Sequence, residues 1–466
     1  MNNRVLLILV AGCTMIAGCA NVPDESATAL SERIKRDVGA APSTVQGSTQ
    51  QSRVRALLTK PLNADAAVEI ALINHPRVIG AFEALGIARA DYLQAVVPGF
   101  VSVHQMVLRP DHAGSTGLKW GLGLDLGRLL SLPNRRKAAA GQRAYQEAKA
   151  TAEILAVAMG ARLAWINLAA ARQNADLMAQ ANDSAQASAA AAEALYAAGN
   201  IAKIERDREA LFAAEAGIAH AQAQAALVPA QEALVVALGL RGEQSGLVVE
   251  LERMAAPPDS PISMGDIEAR VIASSTDFAM ASGTLHAARV DQEIGWFASL
   301  FPDLALDVER ERDGGEWKQG SGLSWAAPVF DLGSGERLRR GATARRALAM
   351  AQALELELRA QARIARAQAE ATRQIAITRR NTMLPLSAEV FDGAVRDFNA
   401  MEIGILELLM ERRARLEAGR AAIAATADYW RAQAALDLLL AGAPAGQTTI
   451  LASDPAPSAR DAKPGH

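Results

Sequence analysis

The feature that most restricts this chain is an internal duplication that carries, at matching points of its two halves, a pair of strands long enough to cross a bilayer. Leu62 to Asp91 lies over Ile262 to Asp291 without gaps at an offset of about 200, with Leu85 on Leu285 and Ala88-Arg89-x-Asp91 on Ala288-Arg289-x-Asp291. The register continues through Pro98 and Pro302, Asp125-Leu126-Gly127 and Asp331-Leu332-Gly333, then Tyr196 to Glu209 over Phe398 to Glu411. Within each half, alternation of period two follows the matched prolines. Leu118, Trp120, Leu122, Leu124 and Leu126 alternate with Lys119, Gly121, Gly123 and Asp125; Leu304, Leu306 and Val308 alternate with Ala305, Asp307 and Glu309, and Leu323, Trp325, Ala327 and Val329 with Ser324 and Ala326. The predicted hairpins span about 99–127 and 302–330, and each strand has one apolar and one polar or small face, at about ten residues the length of a tilted membrane strand. Two hairpins do not close a barrel. Hydrocarbon offers no water to an open sheet edge, so the missing hydrogen bonds must come from further copies of the chain.

The rest of each half has helical spacing. Residues 63–96 place Ala67, Ile70, Ala71, Ala81 and Leu85 on recurrent faces. After each hairpin runs a helical stretch of unusual length, about 134–198 and 334–399, or about 97 Å at 1.5 Å per residue, with Pro385 expected to kink the second. A compact domain has no room for such helices. Shorter returning helices, about 202–239 and 405–441, stack end to end on the helices that lead into the hairpins and so match the long ones in length. The expected division is 61–240 for repeat 1, a Gly/Pro-rich linker at 241–261 with Pro257-Pro258, and 262–441 for repeat 2. Residues 20–60 and 442–466 are read as extended or disordered.

The first eighteen residues form a secretory signal: Arg4, an apolar run from Val5 to Val10, then small residues up to Cys19. Ile16-Ala17-Gly18-Cys19 resembles a bacterial lipobox, in which the thiol of Cys19 receives diacylglycerol, so 1–18 is removed and 19–60 becomes a lipid-anchored linker. Val10-Ala11-Gly12-Cys13 fits the pattern too, with a very short apolar run before it, and the competing reading is an ordinary signal peptide with incidental thiols. Both cysteines, Cys13 and Cys19, lie here, so the mature chain has no intramolecular disulfide. Ala20, not Asp, follows Cys19, which in bacterial lipoproteins resembles sorting to the outer membrane. Only 4% of residues are aromatic, which suits closely packed helices, and a net charge of -3 gives no field for nucleic acid.

The order of helix, strand pair, long helix, sharp turn and returning helix, twice over, resembles the TolC outer-membrane efflux family. The resemblance is carried by Leu62-x-x-Asp65-Ala66-Ala67-Val68-x-Ile70-Ala71-Leu72-x-x-His75-Pro76, Leu85 to Asp91, Gln94-Ala95-x-x-Pro98, Tyr196-x-Ala198-Gly199-Asn200-Ile201 and Ile403-Gly404-x-Leu406-Glu407-Leu408-Leu409. It implies a mainly α protein with a small transmembrane β part: a homotrimer whose twelve-stranded outer-membrane barrel continues as a periplasmic α-helical barrel. Its implied partners are a periplasmic adaptor and an inner-membrane efflux pump, of the resistance-nodulation-division type. The function implied is a passive exit duct in a tripartite efflux or type I secretion-like system. A helical scaffold lipoprotein without channel activity is the alternative.

A duct works by lining and gating. The resemblance places Gly199, Asn200 and Ile201, and Ile403 and Gly404, at the periplasmic tips where the adaptor docks. It places Glu407 at a gate, with Glu411 one turn later on the same face. Threefold rings of these carboxylates would attract cations and repel one another; the competing reading is a solvated helix face balanced by Arg412 and Arg413. Lys119, Asp125, Asp307 and Glu309 are expected to face the lumen, either tuning selectivity or simply wetting a broad bore. Trp120 and Trp325 are expected on the lipid-facing side. No catalytic residue, cofactor or metal site is expected: the six histidines lack zinc-site spacing, His104 and Met106 on one strand face read as lumen lining, and no P-loop, nucleophile elbow or His-Glu-x-x-His is present.

Overall fold

The computed structural model describes residues 25–43, 47–96, 101–108, 117–242, 250–262, 265–300, 304–313, 316–325 and 332–444. The predicted signal segment, Cys19 and most of the C-terminal tail lie outside the described residues. The order helix, helix, strand, strand, long helix, returning helix occurs twice. In the first half these are α3 (Ala64–Asn74), α4 (Pro76–Val96), β1 (Val101–Leu108), β2 (Gly117–Asp125), α5 (Leu126–Ala197) and α6 (Lys203–Leu238). In the second they are α7 (Ile267–Ser274), α8 (Thr276–Leu300), β3 (Ala305–Asp313), β4 (Glu316–Ser324), α9 (Ser334–Thr378) continued by α10 (Leu384–Asn399), and α11 (Ile405–Ala441).

Both lead-in helices break one third of the way along, at His75-Pro76 and at Ser275, and each break receives the end of a returning helix. α6 closes on Gly239 at φ 67°, with Leu240 N–H donating to Val235 O at 3.1 Å. α11 closes identically on Gly442 at φ 100°, with Ala443 N–H on Leu438 O at 2.8 Å. This left-handed closure satisfies the last carbonyls and is cheap only for glycine. A Cβ on Gly239 would meet His75 Cα at 2.8 Å, and one on Gly442 would meet Ser274 O at 2.1 Å. Side chains then seal the joints: Asn74 Nδ2 donates to Gly239 O at 2.7 Å, and Thr276 Oγ1 to Gly442 O at 2.7 Å. The end-to-end stacking expected from helix lengths is thus built by glycine.

The 72-residue α5 begins directly after β2, eight residues earlier than expected, and carries Pro133 in its first turns. Its apolar middle, including Ile154, Leu155, Ala158 and Ile166, is the centre of the main core, where it meets Ile70, Leu72, Leu238 and Leu438. Among the described residues, Ser131–Ala197 is the only helix long and apolar enough to cross a membrane, but 67% of its most apolar window is buried inside the fold. The expected kink at Pro385 takes the form of a π-turn, Arg379–Met383, between α9 and α10. Proline removes one N–H and its ring crowds the preceding turn, so a wider turn ahead of it absorbs the mismatch without ending the helix.

The N-terminal reading needs correction. Residues 25–38 and 48–58 are not extended: α1 (Glu25–Val38) and α2 (Ser48–Leu58) are helices packed on the core, with Leu30, Ile34 and Val54 buried. Arg33 donates to Ser274 O at 2.9 Å and Arg53 pairs with Glu69 at 2.7 Å. Ala27, Leu30, Ile34 and Val38 form a helical stripe that the surrounding polar residues obscured. The linker is also held down: Leu62 N–H donates to Glu250 O at 2.7 Å, and Arg373 donates to the carbonyls of Pro258 and Asp259.

Candidate functional site

The four strands form one antiparallel sheet in the order β1-β2-β3-β4. Its pairing, Leu122 with Val103 and Val308, and Leu306 with Leu323, collects most apolar residues of the four strands on one side, with Met106 on the other. Lys119, Asp125, Asp307 and Glu309 all fall on the other, so the four residues expected on the lumen share one face. There Glu309 accepts from Lys119 Nζ at 2.6 Å and lies 3.5 Å from His104 Nε2. Gly121 and Gly123 make this possible: a Cβ on Gly121 would meet the His104 ring at 2.0 Å, and one on Gly123 would meet Ser102 Oγ at 2.5 Å and Asp307 Oδ1 at 2.7 Å. The glycines of β2 are a floor across which side chains of β1 and β3 meet.

The fourth strand lies earlier than expected. β4 is Glu316–Ser324, so Trp325 follows its last residue, and residues 326–331 are outside the described set. Trp120 is on the apolar face, 44% exposed. Trp317, which the alternation did not single out, sits on that face too, under the guanidinium of Arg310 at 4.8 Å.

The far turns of the long helices use the same closure twice. Gly199, at φ 77°, ends α5, with Asn200 N–H on Leu195 O at 2.9 Å. In the second half Glu402 N–H donates to Asp397 O at 2.9 Å, but the left-handed position is Met401, at φ 62°. Gly404 is instead the extended N-cap of α11. The Met401 side chain is 92% exposed.

The acidic pairs of the two repeats have diverged. Glu205 accepts from Ala202 N–H at 3.0 Å and caps α6. Glu209 is buried, 3.9 Å from Arg412, and one of its oxygens has no hydrogen bond. Burial pushes its carboxyl above the ordinary 4.5, against the opposing pull of Arg412. Arg412 donates to Ser188 Oγ at 3.0 Å and Ser184 Oγ at 2.6 Å and stacks on Phe212 at 4.8 Å. Arg413 pairs with Glu215. Both arginines are therefore committed to the first repeat. Glu407, matching Glu205, is exposed in the first turn of α11, and Glu411, matching Glu209, is half-buried. Among the described residues neither has an ion-pair partner, so the arginines expected to balance them do not.

Elsewhere, a cavity of about 350 Å³ at the helical joints is lined by Asp37, Arg162, Arg270 and Asp437, the last raised above its ordinary value by burial. Arg162 spans it, 2.6 Å from Asp65 and 3.9 Å from Asp437. This is an ion-pair network among helices. Among the described residues no group of three or more His, Cys, Asp or Glu is placed to hold a metal ion.

A single four-stranded antiparallel sheet continued by a helix of 72 residues gives the chain a TolC-like fold. Solved structures of that fold superpose on just over four fifths of the chain. The outer membrane protein VceC of Vibrio cholerae matches 82% of this chain and 96% of its own at TM-score 0.67 and 16% identity. The CmeC outer membrane channel of Campylobacter jejuni matches 84% and 89% at TM-score 0.66 and 15% identity. The open state of the MtrE outer membrane channel of Neisseria gonorrhoeae matches 81% and 88% at TM-score 0.64 and 16% identity. No protein-family model and no curated protein matches the sequence.

Proposed function

We propose that the chain is one subunit of a passive, trimeric exit duct in the outer membrane of a Gram-negative bacterium, performing no chemistry of its own. The observation that carries this reading is the pair of unpaired edges, β1 and β4, on a sheet with one apolar face. Three four-stranded sheets joined edge to edge give twelve strands and leave no edge open to lipid. The helical wall supports the same closure. α5 packs between α6 and α11, and α11 packs on α9 and α10, which leaves α6 and α9 at the margins. Those margins expose Ile204, Leu211 and Ile218 at heptad spacing on one side and Met350, Leu356 and Ile364 on the other.

In this reading the polar sheet face with Lys119, Asp125, Asp307 and Glu309 lines the wide end, and lipid on Cys19 adds an anchor. The turns Gly199-Asn200-Ile201 and Ile403-Gly404 are the periplasmic tips on which an adaptor docks, linking the duct to an inner-membrane pump of the resistance-nodulation-division type within a tripartite efflux or type I secretion-like system. Met401 gives that docking an apolar contact, and Glu407 and Glu411 supply the acidic gate. The reading is tested with purified full-length protein in planar bilayers and on gels. A heat-resistant trimer that conducts is expected; a chain with neither property is the helical scaffold lipoprotein instead.

A further inference from the structure

We propose that the distal rim of the sheet's apolar face binds the phosphates of an anionic outer-leaflet lipid headgroup through Arg310 and Arg312. The proposal rests on the membrane-spanning reading above, which puts the turn ends of the hairpins at the outer surface. The sequence of β3, Leu306-Asp307-Val308-Glu309-Arg310-Glu311-Arg312, separates its charges by parity. Asp307, Glu309 and Glu311 point to the polar side. Arg310 and Arg312 share the side of Leu306 and Val308, and the register leaves no alternative, because a one-residue slip would turn the leucines and valines of all four strands inward.

At those two levels the face holds Gln105, Val107, Leu118, Trp120, Gln319 and Trp317. Among the described residues it holds no carboxylate, so neither guanidinium has an acidic neighbour on that face. Both side chains are exposed. A cation on the lipid face is costly at the midplane of a bilayer and nearly free at its surface. Arg310 stands six residues, about 20 Å along the strand, beyond Leu304, and a long side chain reaches farther still. Trp120 and Trp317, at the same levels, are the residues that favour the bilayer interface. Stacking at 4.8 Å on Trp317 holds the Arg310 guanidinium in place before any ligand arrives. A guanidinium offers paired donors that match phosphate oxygens. Two of them, one stacked on an indole and neither with an ion-pair partner among the described residues, are complementary to a phosphorylated headgroup seated beside the barrel.

The test uses the full-length trimer in neutral detergent, with native mass spectrometry counting retained lipid from diphosphoryl lipid A, monophosphoryl lipid A or phosphatidylcholine. The wild type should prefer the diphosphoryl lipid. R310Q/R312Q should weaken its retention about twenty-five-fold, the effect of two interfacial cations. K318Q, on the opposite face, should leave it unchanged, and millimolar inorganic phosphate should not displace it. Equal retention of charged and uncharged lipid by the wild type, which needs no variant to fold, overturns the proposal. So does a double variant that binds as the wild type does, or displacement by inorganic phosphate. A trimer that conducts yet shows no headgroup preference overturns this inference alone; a chain that neither trimerises nor conducts overturns the spanning reading with it.

Discussion

At the scale of single residues, Met401 holds a left-handed backbone that its side chain disfavours by about 1–2 kcal/mol. Gly199 takes the same conformation in the equivalent turn without that cost. Met401→Gly should therefore stabilise the tip by about 1 kcal/mol in thermal melts and weaken adaptor binding; a variant that melts lower would show that the Met side chain stabilises the fold itself. Glu209 gives a pH prediction. Its folded-state carboxyl binds a proton more tightly than the unfolded chain does, so its contribution favours the fold at low pH. That contribution is lost as pH rises from the ordinary carboxylate value through the raised one. Glu209→Gln should flatten the dependence of trimer melting on pH above about 4.5; an unaltered profile would assign the dependence to another group. Neutralising Glu407 and Glu411 together should weaken cation block at the periplasmic end, measured as single-channel current against added divalent cation. Residue roles were the least legible part of the sequence. Glu205, Glu209, Glu407 and Glu411 align perfectly across the duplication, yet one caps a helix, one is buried, one is exposed and one is half-buried. What separates them is the partner each meets across the wall, Arg412 above all, and spacing along one helix does not encode that.

At the scale of elements, the returning helices and the far ends of the long ones were legible to within a residue or two, whereas α5 starts eight residues before the expected position and takes Pro133 inside it. The returning helices and the two tip turns follow from local chemistry, whereas the break at Pro76 divides a stretch, 63–96, whose spacing reads as one helix. The alternation in Leu323, Trp325, Ala327 and Val329 suggested a later strand, but pairing with β3 selects Glu316–Ser324, a stretch polar enough to hide in a loop-like sequence. The N-terminal helices were hidden by polar surroundings in the same way. The joints between stacked helices supply the sharpest element-level prediction. Gly442→Ala must find room for a methyl against the Ser274 carbonyl at a φ of 100°, and should cost about 3 kcal/mol in thermal stability. Gly419→Ala, where the nearest atoms are the flexible end of Leu177, should cost far less. Equal losses would refute the role assigned to the joint.

At the scale of the whole molecule, the duplicated order of helices and strands was the most legible part, because it follows from residue periodicity and helix length and not from any one side chain. The anchor is testable at this scale: Cys19→Ser should abolish incorporation of labelled fatty acid, and continued incorporation would move the attachment site. The split between the two tip turns has one further effect. Joining two copies in one polypeptide frees each copy to vary, which a gene encoding a single repeat cannot do. In the proposed trimer, relaxed glycine turns would alternate with strained turns that present methionine. A ring-shaped partner of identical subunits meeting every tip would find two kinds of contact in alternation, so its own subunits would be forced into two environments although their sequences are the same.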